Sequence, residues 1–256
     1  MALGTHTSLP VAPLPASTTP PSTLPAQLAP GEIITLDGFE MGPDAGVVPQ
    51  GAPPRELAGV QVLFDGKPAP LLYVQSRQIN AAAPVELRGQ TQTTITVVYN
   101  QVTVGSIQAA VAEDGVPGIF RLQPDVSSQA LAFNPDGTMN GPLNPADRGS
   151  TISLLGTGFG PTDPPCATGS LNVPGPANLA SGWGAEFFDK GDHFHIPALS
   201  TVGAPGLPCG IVRIGMQVPA DAPSAAYEIY PRSFVATPGG GRSNSDGQVG
   251  VTIYVR

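Results

Sequence analysis

His193-Phe194-His195 would put two imidazoles on one face of a strand, with Glu186, Asp189 and Asp192 close by in sequence. A metal needs three or four converging ligands with hydrogen-bonded partners behind them, and only the histidine pair has useful spacing. A solvated hairpin or loop is the reading this spacing favours. A metal-assisted hydrolase built on His193, His195 and Asp192 is the weaker one. Just upstream, Trp183, Phe187 and Phe188 gather in Ser-Gly-Trp-Gly-Ala-Glu-Phe-Phe-Asp. Exposed aromatic rings stack on sugars, and flanking carboxylates accept hydrogen bonds from hydroxyls, so the cluster could form a carbohydrate-binding face. The competing and favoured reading packs Trp183 and one phenylalanine into a core.

Other chemistry is excluded more directly. Gly156-Thr-Gly-Phe-Gly160 looks like a phosphate-cradling loop, but that fingerprint must open a helix. Here Pro161-Thr-Asp-Pro-Pro165 follows, which no helix interior tolerates. Asp136 and Asn140, in and after Asn134-Pro-Asp-Gly137, could hold calcium, yet they lack the EF-hand spacing, and a self-bonded turn fits better. There is neither a Gly-x-Ser-x-Gly elbow nor a His-Glu-x-x-His pair. The residues therefore call for no catalytic group, no cofactor and no metal, and the chain is expected not to be an enzyme.

Cys166 and Cys209 are the only cysteines, each preceded by proline. They form either one disulfide closing a loop of 43 residues or two free thiols. The even count and the extracellular-looking composition favour the disulfide. Neither has the CxxC spacing of a zinc or thioredoxin-like site.

The elements that must position these residues are announced by an internal repeat. Gly31-Glu-Ile-Ile-Thr-Leu-Asp-Gly-Phe-Glu-Met-Gly-Pro43 aligns without gaps to Gly149-Ser-Thr-Ile-Ser-Leu-Leu-Gly-Thr-Gly-Phe-Gly-Pro161, at an offset of 118. Six of 13 positions are identical, and two of them, Ile34/Ile152 and Leu36/Leu154, share one face of a strand, which glycine-rich composition alone does not produce. Two copies imply two related domains, each opening with this strand. Further strands are expected at 60–64, 70–74, 78–82, 91–99 and 102–112, with Asp65-Gly66 as a hairpin turn after the first. The second half offers 130–133, 150–155, 211–218, 227–230 and 249–255. No window shows a helical period, so short strands with glycine and proline turns predict sandwiches.

Composition agrees. The chain of 256 residues carries 32 glycines and 31 prolines, which punctuate aliphatic runs instead of forming low-complexity tracts. A net charge of -8 with no basic stripe argues against nucleic acid. No apolar run is long enough for a membrane span. Residues 1–30 hold seven prolines, eight serines and threonines, and no lysine or arginine. They read as an extended, semi-rigid linker, without the basic and apolar regions of a secretory leader.

Several segments together resemble the Solibacter-type uncharacterised C-terminal domain family, which is expanded in Acidobacteria. They are Pro30-Gly-Glu-Ile-Ile-Thr-Leu36, Val60-Gln-Val-Leu-Phe-Asp-Gly-Lys-Pro-Ala-Pro-Leu-Leu-Tyr-Val74, Gln78-Ile-Asn-Ala-Ala-Ala-Pro84, Val116-Pro-Gly-Ile-Phe120, Asn144-Pro-Ala-Asp-Arg-Gly149 and Leu155-Gly-Thr-Gly-Phe-Gly-Pro161. The likeness runs over about residues 28 to 256 and extends to tandem IPT/TIG immunoglobulin-like domains. Asp37-Gly-Phe-Glu-Met41 departs from the usual loop, as does the aromatic and charged stretch 180–198. The resemblance implies a β-sandwich module at the C-terminal end of secreted or surface proteins, with no catalytic residues to carry over. The expectation is an all-β chain of two tandem immunoglobulin-like β-sandwich domains, 30–115 and 116–256, behind a Pro-rich N-terminal linker, 1–29. Its expected place is extracellular or at the cell surface. Its expected role is spacing, adhesion or presentation of other domains. Upstream domains or surface proteins are the expected partners, with a polysaccharide bound near Trp183 as the alternative.

Overall fold

Proline has no N–H to give to a β-ladder, so a proline-rich segment can pair only where a sheet has an edge. The computed structural model describes residues 8–10, 12–13, 27–112, 115–122, 129–160, 162–163, 165–173, 178–179, 183–189, 192–197, 199–233 and 251–256. Within the proline-rich start, β1 (Ser8–Pro10), β2 (Ala12–Pro13) and β3 (Gln27–Leu28) are such edge pieces. Each of these short pieces pairs with a strand of the first sandwich. Leu28 and Ala29 are fully buried.

Seven strands follow: β4 (Ile33–Asp37), β5 (Val60–Phe64), β6 (Lys67–Pro68), β7 (Leu71–Val74), β8 (Gln78–Ala82), β9 (Gln92–Tyr99) and β10 (Val102–Val111). Alternation chooses their faces: Val60, Val62 and Phe64 of β5 point inward, as do Ile95 and Val97 of β9. One sheet runs β1-β4-β8-β7, the other β2-β10-β9-β5-β6. Their apolar faces close on one core that holds Ile34 and Leu36 from the first sheet and Phe64 and Ile95 from the second. The turn from β5 to β6 is the expected Asp65-Gly66, both residues at positive φ as a tight two-residue hairpin needs.

The second half contains β11 (Gly118–Ile119), β12 (Ala132–Phe133), β13 (Thr151–Thr157), β14 (Thr162–Asp163), β15 (Asn178–Leu179), β16 (Trp183–Asp189), β17 (Asp192–Pro197), β18 (Ser200–Gly203), β19 (Val212–Gln217), β20 (Ala225–Ser233) and β21 (Val251–Val255). Its sheets run β11-β13-β19-β18 and β17-β16-β20-β21, and β14 pairs with β15. A second core joins Ile152, Leu154 and Met216 to Tyr227, Ile229 and Ile253 across these sheets.

The repeat in sequence is a repeat in topology. β4 pairs with β8 and β8 with β7; β13 pairs with β19 and β19 with β18. Likewise β6-β5-β9-β10 corresponds to β17-β16-β20-β21. Each unit thus has the strand arrangement of an immunoglobulin-like sandwich, four strands closing over the hairpin-linked other sheet. The chain is all-β, with no α-helix among the described residues. The matched residues do matched work. Ile34 and Leu36 face Ala81 and Ile79, Ile152 and Leu154 face Met216 and Ile214, and all four leading residues are fully buried. Ahead of them, Gly31 (φ 81°) and Gly149 (φ 70°) take the left-handed conformation of equivalent turns. The N–H of Glu32 donates to Ala29 and that of Ser150 to Asp147, each at 3.1 Å.

Candidate functional site

The two units meet through residues that local patterning would assign to sheet ends. Ile33 and Ala82, cross-strand neighbours in the first unit, join Phe120, Ala204 and Ile211 of the second in a third buried apolar cluster. The Ile33 N–H donates to Thr157 Oγ1 at 2.8 Å, and the Thr157 hydroxyl donates to the Gly210 carbonyl at 2.8 Å. Thr157 is fully buried, so this one hydroxyl satisfies two backbone groups of different units where water cannot. A second hydroxyl bridges nearby: Val85 N–H donates to Thr168 Oγ1 at 2.9 Å, and Thr168 donates to Glu86 Oε2 at 2.6 Å. Gly210 sits at φ 99°, and a Cβ there would overlap the Gly31 carbonyl oxygen. Glycine is therefore required both for the backbone conformation and for the close approach of the units.

Cys166 and Cys209 form the favoured disulfide, with Cα atoms 5.9 Å apart. The bridge has a place in the junction. It ties the loop carrying Thr168 to the loop carrying Gly210, so two of the contacts with the first unit hang from one covalent link. Asn172 braces the same pair of loops. Its Nδ2 donates to the carbonyls of Pro208 (3.0 Å) and Ile211 (2.9 Å), and its backbone N–H donates to Leu207. A cavity of about 140 Å³ lies beside the disulfide, between Pro30, Arg88, Gly160 and Gly210. Glu32 is fully buried near this junction and its Oε2 accepts the Ala29 N–H at 2.8 Å. Sequence reading had no signal for a buried acid there beyond the turn that precedes it.

The other candidates separate clearly. Asn134-Pro-Asp-Gly137 is a self-bonded turn: Asp136 Oδ1 accepts the Thr138 N–H at 2.9 Å and its hydroxyl at 2.6 Å. That hydroxyl bond, chiefly, holds the Asp136 carboxyl below the usual carboxylate range. Asn140 is buried and fully engaged. Its Oδ1 accepts the Tyr254 N–H, and its Nδ2 donates to the Tyr254 carbonyl and to Asn134 Oδ1. At the end of the same region Arg256 donates to Asp147 at 2.7 Å, which lowers the Asp147 carboxyl. Among the described residues no three His, Cys, Asp or Glu side chains gather for a metal.

Trp183, Phe187, Phe188, His193 and His195 lie on the β16–β17 hairpin, where His195 pairs with Glu186 and His193 with Phe188. Their side chains lie outside the described residues, as do those of Asp189 and Asp192. What the hairpin adds is length: β17 has six residues, while its counterpart β6 has two.

The fold and its junction define a class, an all-β chain of two docked immunoglobulin-like sandwiches with one disulfide. Among the described residues no helix is long and apolar enough to cross a membrane. No family model matches the chain, and no curated protein matches it. A solved structure titled as the plexin A4 full extracellular region is similar at 14% identity, covering 79% of this chain and 24% of that chain, with a TM-score of 0.21. The chain spans about a quarter of that structure's length.

Proposed function

We propose that this chain is a non-catalytic module of a secreted or cell-surface protein, which holds its two sandwiches at a set angle to space or present other domains. The observation that carries this reading is the junction: a shared apolar cluster, two bridging hydroxyls and a disulfide, where a flexible tandem would have an exposed linker. The disulfide supports an oxidising compartment, since such bonds persist there and are rare in the cytosol. The sequence resemblance to modules at the C-terminal end of surface proteins points the same way. Fold alone does not assign a role, so the test addresses geometry. Spin labels at the exposed positions Val102 and Leu143, one in each unit, would report the distance between them. A single narrow distribution in the oxidised protein is expected. A broad distribution would remove the spacer reading.

A further inference from the structure

At the end of the first unit away from the junction, the segment after β4 meets the turns between β7 and β8 and between β9 and β10. A concavity of about 650 Å³ opens there, within the size range of ligand pockets. Phe39 lines it and is 68% exposed; no other Phe, Tyr or Trp among the residues with described side chains is exposed. Its exposure is built in by the backbone. Gly38 N–H donates to Arg77, Met41 N–H to the Ser76 carbonyl at 2.9 Å, and Ser76 N–H to the Pro43 carbonyl at 2.7 Å. Gln75 Nε2 donates to the Asp44 carbonyl at 3.1 Å. Met41 is buried as the anchor of this segment, and Glu40 between them takes φ 55°, which breaks the strand alternation that would put Phe39 on the same face and leaves Phe39 in solvent. The Arg77 guanidinium lies 4.9 Å from the centre of the Phe39 ring, which fixes the ring further and occupies one side of it. Exposed Glu40, Asp44 and Asn100 line the same concavity, along with the apolar Tyr99, Val102 and Val104.

We infer that this concavity is a saccharide-binding site, with Phe39 as the platform and the Glu40 and Asp44 carboxylates as hydroxyl acceptors. A sugar ring presents an apolar C–H face and a rim of hydroxyls, which matches an exposed aromatic ring in a hollow that also holds carboxylate and amide acceptors. The braced loop is pre-organised, so little ordering is lost on binding. The site differs from the Trp183 region and does not depend on the spacer reading, because a narrow inter-unit distance carries no information about sugars.

The test is titration of the full chain with cellobiose, maltose, lactose and N,N′-diacetylchitobiose, followed by saturation-transfer difference NMR. At least one disaccharide should show saturation transfer, and Phe39→Ala should weaken its binding by about tenfold or more. Phe39→Trp should keep it, and Glu40→Gln and Asp44→Asn should each weaken it several-fold. Phe39 is exposed, so Phe39→Ala should retain the parent melting temperature, and this separates lost binding from lost folding. Binding of none of the four sugars overturns the inference, as does binding that Phe39→Ala leaves unchanged. Self-association abolished by Phe39→Ala without any saccharide signal also overturns it, and would make the hollow a contact between protein copies.

Discussion

Replacing both Cys166 and Cys209 by serine should loosen the junction more than either sandwich. The bridge closes a loop of 43 residues. By chain entropy such a loop contributes about 4 kcal/mol at 25 °C. If the two units unfold together, each kcal/mol moves the melting temperature of a chain of this size by roughly 2–4 °C, so a fall of roughly 8–16 °C is expected by calorimetry. Location is the sharper part of the prediction. The disulfide holds the loops that deliver Thr168 to Val85 and Gly210 to Gly31, and Thr157 bonds both Ile33 and Gly210. Amide exchange at Ile33 and Val85 should therefore accelerate more in the double variant than exchange at Ile95 and Val97, which lie in the middle of the first sandwich. A melting point within about 2 °C of the parent would refute the entropic argument. A large fall with Ile33 and Val85 still as protected as Ile95 would refute the claim that the bridge supports the docking.

Thr157→Val keeps the shape but strands the Ile33 N–H and the Gly210 carbonyl, and should lower stability in urea by about 2–4 kcal/mol, with Thr157→Ser restoring most of it. Gly210→Ala drives a Cβ toward the Gly31 carbonyl at a positive φ, and should broaden the Val102–Leu143 spin-label distance while far-ultraviolet dichroism stays unchanged. Asn140→Ala removes both bonds to the Tyr254 backbone and should cost about 1–2 kcal/mol in urea denaturation, because the Tyr254 N–H loses its acceptor while the Tyr254 carbonyl keeps the Ala146 N–H. The Asp147 carboxyl is held below its unfolded value, chiefly by its hydrogen bond from Arg256. Its contribution is therefore complete above about pH 4 and lost as pH falls through the depressed folded value. Asp147→Asn should differ from the parent in urea midpoint at pH 6, converge with it near pH 2, and differ less in high salt because the pair is exposed.

Much of the sandwich architecture could be read from residue order, because its determinants are local. Ile34 and Leu36 alternate onto one face, Gly31 supplies the turn before them, and Ile152, Leu154 and Gly149 do the same 118 residues on. Asp65-Gly66 names its own turn, and Asp136 closes Asn134-Pro-Asp-Gly137 on itself. With two cysteines, the even count and the composition favoured the bridge over two free thiols, but said nothing of the loops it braces. The docking of the units was not legible. Thr157 meets Ile33 across 124 positions and Gly210 across 53, and neither a threonine nor a glycine announces a partner by its type. The pairing of β3 with β10 was hidden in the same way, since a proline-rich stretch looks like a linker until a sheet edge receives it. Phe39 is the converse case. Hydropathy would bury it, and only the hydrogen bonds that fasten its loop to the turn at Ser76 and Arg77 hold it in solvent. Periodicity and turn chemistry act between near neighbours and so are written along the chain, whereas docking and exposure depend on which distant backbone groups the folded sheets bring within hydrogen-bonding reach.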